Sequence, residues 1–202
     1  MKTQIAVFVS GGGTNLQALI DFAAAGKLPD GEIKLVLSSN PKAYALSRAE
    51  AAGIDGVTVS RKQSTSQKDF EDKIIAYLEE YNIELIVLAG FMSILSEDFV
   101  KRYDKRIINV HPSLIPSFCG KGMYGLRVHE AALAYGVKVT GATVHFVNEI
   151  PDGGEIIMQR AVEILPGDTA EVLQKRVMEM AEWDILPNAA QTVAKNIREN
   201  RK

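Results

Sequence analysis

Residues 108–118 read I-N-V-H-P-S-L-I-P-S-F, an apolar strand that breaks off into a loop carrying an asparagine, a histidine and two prolines. Asn109 and His111 are two apart, so in extended backbone both side chains leave the same face. Pro112 and Pro116 fix two backbone angles and push His111 and Ile115 out of helical geometry. A carboxamide donor and a titratable imidazole are thereby held side by side, the pairing an acyl-transfer site needs at a developing oxyanion. His111 also ends its strand, and open α/β sheets bind ligands beyond their strand ends.

Working outward, apolar runs that fit strands alternate with longer segments that fit helices. Upstream, strands are expected at Ile5 to Val9, Ile33 to Leu37, Val57 to Val59, Leu85 to Ala89 and Arg106 to Val110. Helices fit Leu16 to Ala25, Ala43 to Ala52, Lys68 to Tyr81 and a segment opened by Ser96 ahead of Glu97 and Asp98. Downstream, a helix from Val128 to Tyr135 ends at Gly136. Two long β runs, Val137 to Val147 and Glu155 to Ile164, are then joined by the turn Pro151-Asp152-Gly153-Gly154. A final helix starts near Thr169 and is expected to be interrupted at Pro187. The alternation predicts right-handed crossovers and a doubly wound, mainly parallel α/β sheet of Rossmann-like type, with an antiparallel extension near the C-terminal third. One domain over residues 1–202 is the expectation.

The composition is that of an ordinary globular chain, 47% hydrophobic and 24% charged. Twenty-three Lys and Arg against 25 Asp and Glu leave a net charge of -2, so no bulk field favours nucleic acid or an anionic membrane. The N-terminus has neither the length nor the cleavage pattern of a signal peptide, and no apolar run reaches the roughly 18 residues of a membrane span. A single cysteine, Cys119, forms no internal disulfide, and a cytoplasmic location is expected.

The loop Ser10-Gly11-Gly12-Gly13-Thr14-Asn15 lies between the first strand and first helix, where backbone N–H groups and the helix dipole make an anion site. It lacks the third glycine of a dinucleotide fingerprint and the Gly-Lys-Ser/Thr of a P-loop. A single phosphate on a small substrate fits better; a tight turn needing glycines for packing is the alternative. His129, on an amphipathic helix, and His145, on a β-branched strand, read as structural imidazoles, although His145 would shape the site if it faced the Asn109 strand. Asp152 is the carboxylate to pair with His111, because its turn can fold a side chain over the sheet edge; spacing alone does not join them. Cys119, Ser113 and Ser117 read as loop residues, with no nucleophile elbow present. One cysteine and three scattered histidines match no metal-ligand spacing.

Taken together, N-V-H-P-S-L-I-P-S-F, G-G-G-T-N-L, L-A-G-F-M and G-A-T-V-H-F-V…D-G-G resemble the phosphoribosylglycinamide formyltransferases, folate-dependent enzymes of purine synthesis. The resemblance runs from Ile5 to about Pro187. It implies formyl transfer from 10-formyltetrahydrofolate to the amino group of phosphoribosylglycinamide, with Asn109, His111 and Asp152 as the catalytic set and no metal. It further implies that Gly13, Thr14, Asn15 and Leu16 hold the substrate phosphate and that Glu182 meets the ribose. Formylfolate is placed against Met92, Ser93, Ile94 and Leu95, near Asn109 and Gln67, and against the loop ending at Asp152. The expected partners are these two small molecules, with no nucleic acid or membrane, for a monomer or weak homodimer.

Two positions depart from that pattern. Some relatives carry an arginine where Ser93 stands and a basic residue where Gln67 stands, both on the folate side. The stretch Cys119 to Gly125 is also longer than in some members, and a lengthened surface loop is expected there. Formyltetrahydrofolate deformylase and methionyl-tRNA formyltransferase share the core but usually carry an extra domain, which this chain is not expected to have. A non-catalytic sensor of a phosphorylated metabolite would use only the glycine loop.

Overall fold

Ile5, Ala6, Val7, Phe8 and Val9 are all fully buried, and successive side chains serve opposite faces. Ile5, Val7 and Val9 enter one core, Ala6 and Phe8 the other. A strand buried on both faces belongs in the interior of a sheet covered on both sides. In the computed structural model, which describes residues 1–201, β1 (Thr3–Val9) holds that place.

The other strands are β2 (Gly31–Ser38), β3 (Asp55–Thr58), β4 (Leu85–Leu88), β5 (Ile107–His111), β6 (Val139–Phe146) and β7 (Ile156–Glu163), in the order β3-β2-β1-β4-β5-β6-β7. Strands β1 to β5 pair in parallel, β6 runs antiparallel to β5, and β7 antiparallel to β6. The doubly wound sheet and its antiparallel extension are therefore as expected. The chain moves outward from β1 to β2 and β3, then crosses to β4 on β1's other side. That reversal opens a crevice beyond the carboxyl ends of β1 and β4.

Helices α1 (Thr14–Ala24), α2 (Tyr44–Ala51), α5 (Leu126–Tyr135), α6 (Ala170–Val177) and α7 (Trp183–Glu199) contribute to the first core through Leu19, Ala49, Leu133, Leu173 and Leu186. Helices α3 (Gln67–Glu80) and α4 (Glu97–Arg102) cover the second face with Phe70, Ile74, Leu78, Phe99 and Val100. Side-chain oxygens begin α3, α4 and α6: Ser66 accepts from the Asp69 N–H, Ser96 from Phe99 and Thr169 from Val172. Gly136 closes α5 in the left-handed conformation. Among the described residues no helix is long and apolar enough to cross a membrane.

The last helix departs from expectation. Pro187 lies buried inside α7 and does not interrupt it. The irregularity is instead a π turn at Met178–Glu182, where the Trp183 N–H reaches back five residues to the Met178 carbonyl. Proline at 187 offers no N–H to the Trp183 carbonyl and crowds it with its ring. The wide turn lies immediately upstream, where a misfit of that kind is absorbed.

Leu78 is 1% exposed at the far end of α3, away from the crevice. Leu78→Ala should cost about 2–5 kcal/mol of unfolding free energy, read from the urea midpoint. An unchanged midpoint would show that the second core repacks around the loss.

Candidate active site

The glycine loop leaves β1 at the crevice with its carbonyls taken up by neighbouring donors. Gly11 O accepts from the Ala45 N–H at 3.1 Å and Gly13 O from the Gln17 N–H at 2.9 Å. Gly12 O is taken by Arg48 Nε at 2.8 Å, and Arg48 Nη1 continues to Gln17 at 2.9 Å. With the carbonyls engaged behind the loop, its N–H groups are left for an anion at the start of α1. Gly13 has φ 73°, and a Cβ there would lie 2.6 Å from Ala45 Cβ, so no larger residue fits. Leu16 is fully buried in the core, which leaves only its main chain to the loop. Asn15 Nδ2 donates to Glu182 Oε2 at 2.6 Å, joining the loop to the π turn. Burial pushes the Glu182 carboxyl above its ordinary value against the opposing pull of that hydrogen bond.

A short relay ties this loop to the next segment. The Met92 N–H donates to Ser10 Oγ at 2.8 Å, and Ser10 Oγ lies 2.6 Å from Ser39 Oγ. The carboxyl ends of β1, β2 and β4 are thereby held in one frame. Met92 and Ile94 stand exposed, while Leu95 turns inward against the second core. The Gln67 amide is spent on holding this segment: Nε2 donates to Ile94 O at 3.0 Å and to Glu71 Oε1 at 2.6 Å.

At the end of β5 the structure brings together the three groups that spacing could not connect. His111 is 4% exposed, and its Nδ1 lies 3.5 Å from Asp152 Oδ2. Its Nε2 lies 2.9 Å from the Phe118 carbonyl, so both ring nitrogens face acceptors and each has a place for a hydrogen. Asp152 adopts φ 57°, a left-handed conformation that aspartate tolerates better than most residues, and this aims its carboxylate back over the sheet. The Gly120 N–H donates to Asp152 Oδ2 at 2.8 Å, so the 119–125 stretch anchors the carboxylate and is more than a surface loop. Burial pushes the Asp152 carboxyl up, but the His145 contact, the Gly120 N–H and the charge of His111 outweigh it, and the net shift is downward.

His145, read as a structural imidazole unless it faced the Asn109 strand, does face that strand and belongs to this cluster. It lies directly across from Asn109 in the antiparallel β5–β6 register. Its Nδ1 lies 2.8 Å from the Phe146 carbonyl, which places the hydrogen there and leaves Nε2 to accept from Asn109 Nδ2 at 3.2 Å. His145 Nε2 is also 3.7 Å from Asp152 Oδ1. The sequence signal was cross-strand pairing, unreadable until β6 was known to run antiparallel. Thr143, opposite His111, donates to the Ser113 carbonyl at 2.7 Å and accepts from the Ile115 N–H at 3.1 Å, fixing the proline loop. Burial, with the nearby Asp152 charge, pushes the Cys119 thiol up, which disfavours the thiolate a covalent mechanism would need.

A glycine cradle and an amide, imidazole and carboxylate group share one crevice of a switch-point α/β sheet, and the whole chain behaves accordingly in comparison. It belongs to the formyl transferase family, which it matches over residues 3–190. Phosphoribosylglycinamide formyltransferase of Haemophilus influenzae is 41% identical over 184 residues, covering 91% of this chain and 84% of that protein. The crystal structure of the phosphoribosylglycinamide formyltransferase of Brucella melitensis superposes with a TM-score of 0.88 at 42% identity, covering 96% of each chain. The trifunctional purine biosynthetic protein adenosine-3 of Gallus gallus is 47% identical over 195 residues, and this chain spans 18% of its length. Within the family, the chain groups with the phosphoribosylglycinamide formyltransferases.

His129, on α5, is fully buried with no partner at either ring nitrogen. Burial, and secondarily the charge of His111, pushes it down to about 4. The unfolded chain takes up this proton near pH 6.5, whereas the folded chain refuses it until about pH 4. Folding stability should therefore fall by about 3 kcal/mol on this account as the pH drops through that window. His129→Leu, which cannot be protonated, should lack that part of the slope in urea unfolding between pH 7 and pH 4. An equal slope in both proteins would count against the assignment.

Proposed function

We propose that this chain transfers the formyl group of 10-formyltetrahydrofolate to the amino group of phosphoribosylglycinamide, a step of purine biosynthesis. The observation that carries the reading is the 3.5 Å approach of Asp152 to His111, with Asn109 on the same strand and the glycine cradle in the same crevice. The relatives' names agree with it. In this reading the cradle and Glu182 take the phosphate and ribose of the acceptor, while the Met92–Leu95 segment and the Asp152 loop take the donor.

The acceptor amine is itself the nucleophile. A C–N bond forms between it and the formyl carbon, the carbonyl π electrons move to oxygen, and a tetrahedral oxyanion results. One Asn109 Nδ2 hydrogen is held by His145, and the other is directed to that oxyanion. His111, held against Asp152, flanks the same centre. The bond from the formyl carbon to N10 of the folate then breaks. The proton shed by the amine ends on N10, with Asp152 and His111 as the relay beside it.

The direct assay mixes the purified protein with both substrates and follows loss of the formyl group from the folate. Turnover that depends on the amine supports transfer; formate release without the amine would mark a hydrolase. Asn109→Ala should lower kcat about 100- to 1,000-fold while acceptor binding changes little, the pattern of a group acting in the transition state. Equal losses in kcat and binding would remove Asn109 from the oxyanion role.

A further inference from the structure

A carboxamide is nearly symmetric in shape but not in chemistry. Turned end for end, Asn109 would offer Oδ1 instead of Nδ2 to a developing oxyanion, and two partial negative charges would face each other. Packing does not distinguish the two ends, so hydrogen bonding must. On the strand across from Asn109 lies His145, 2% exposed, with Nε2 3.2 Å from Asn109 Nδ2. An imidazole nitrogen orders the amide only where the ring's hydrogen is fixed, and that is settled on its other side, where Nδ1 lies 2.8 Å from the Phe146 carbonyl. A hydrogen on Nε2 would instead point to Asp152 Oδ1, 3.7 Å away, or draw Asn109 Oδ1 toward the ring and reverse the amide.

The Phe146 carbonyl is itself held from both sides. Its peptide donates the Val147 N–H to Ile107 O at 2.9 Å, which ties it to β5. The β6–β7 ladder slips between Val144 and His145, and beyond the slip the main chain at Gly154 comes so close that a Cβ there would collide with the Phe146 carbonyl oxygen. Gly154 has no left-handed φ, so this glycine serves close approach alone. The chain that leaves Asp152 thus presses on the carbonyl that sets the ring.

We propose that His145 is a positioning residue: held as its neutral Nδ1–H tautomer by the Phe146 carbonyl, it selects the orientation of the Asn109 carboxamide that donates to the oxyanion. The inference rests on the proposed formyl transfer and deepens it. His145 acts through Asn109 and not on the reacting atoms. Around the ring, β5 presents Asn109, β7 presents Ile156 and the turn presents Asp152.

His145→Leu should lower kcat about ten- to a hundredfold, the scale of one misdirected hydrogen bond, with the acceptor KM little changed. His145→Gln, whose Oε1 can accept from Asn109 Nδ2 in place of Nε2, should recover most of that loss. In an Asn109→Ala background, His145→Leu should cost nothing further, because the group it orients is gone. Nitrogen-15 NMR reads the ring directly and stands even where the Leu variant does not fold. Of the three histidines, His145 is assigned by its loss in His145→Gln, and its hydrogen should lie on Nδ1. An additive loss in the double variant, equal kcat in the Leu and Gln variants, or a hydrogen on Nε2 overturns the positioning role and leaves formyl transfer standing. A wild-type chain without amine-dependent turnover overturns both.

Discussion

The site depends on the carboxylate of Asp152 being satisfied over the edge of the sheet. A half-buried carboxylate loses hydration, and it is stable there only where donors and positive charge replace the water. Here the His111 ring and the Gly120 N–H face the carboxylate directly, with the His145 ring packed alongside, and the three come from different parts of the chain: β5, the loop after the prolines and β6. The need to satisfy one acid therefore fixes the register of β6 on β5, the left-handed turn at 152 and the path of residues 117–120. Without the antiparallel strand, His145 would not lie across from Asn109, and the acid would lose one of its two rings.

The crossover of the sheet supplies the second half of the arrangement. Because β4 returns beside β1, the glycine loop and the Met92 segment emerge side by side, and the Ser10 hydroxyl needs to span only one strand spacing to join them. The glycine loop and the Met92 segment are thus parts of one rigid frame rather than two loops that happen to be close. Arg48 and Gly13 press the cradle against α2 from behind, so its geometry is set by backbone packing before any ligand arrives.

Much of this could be read along the chain, and the misses have physical causes. The strands of the parallel half declared themselves through runs such as Ile5 to Val9, since burial on both faces leaves no polar alternation to confuse. Asn109 and His111 were legible because a period of two fixes their common face. Asp152 was named as their carboxylate partner, but spacing alone did not join it to them, because the contact crosses a sheet edge and spans a turn whose direction depends on a left-handed residue. His145 was readable only conditionally, because its place depends on a cross-strand neighbour. Pro187 was read as an interruption on local propensity, but a buried helix tolerates proline when the turn before it widens. The 119–125 stretch looked like an ornament of the surface because main-chain donors such as the Gly120 N–H leave no mark in side-chain patterns.

The π turn at Met178–Glu182 sets the phase of everything after it. A widened turn holds one residue more than a regular one, and each residue in an α-helix advances the side chains by about 100°. Deleting a residue there would regularise the helix, yet it would also swing either Glu182 away from Asn15 or the apolar stripe of α7 away from the sheet. The chain length between α6 and α7 is accordingly a locked quantity, and this stretch should admit substitutions far more readily than insertions or deletions.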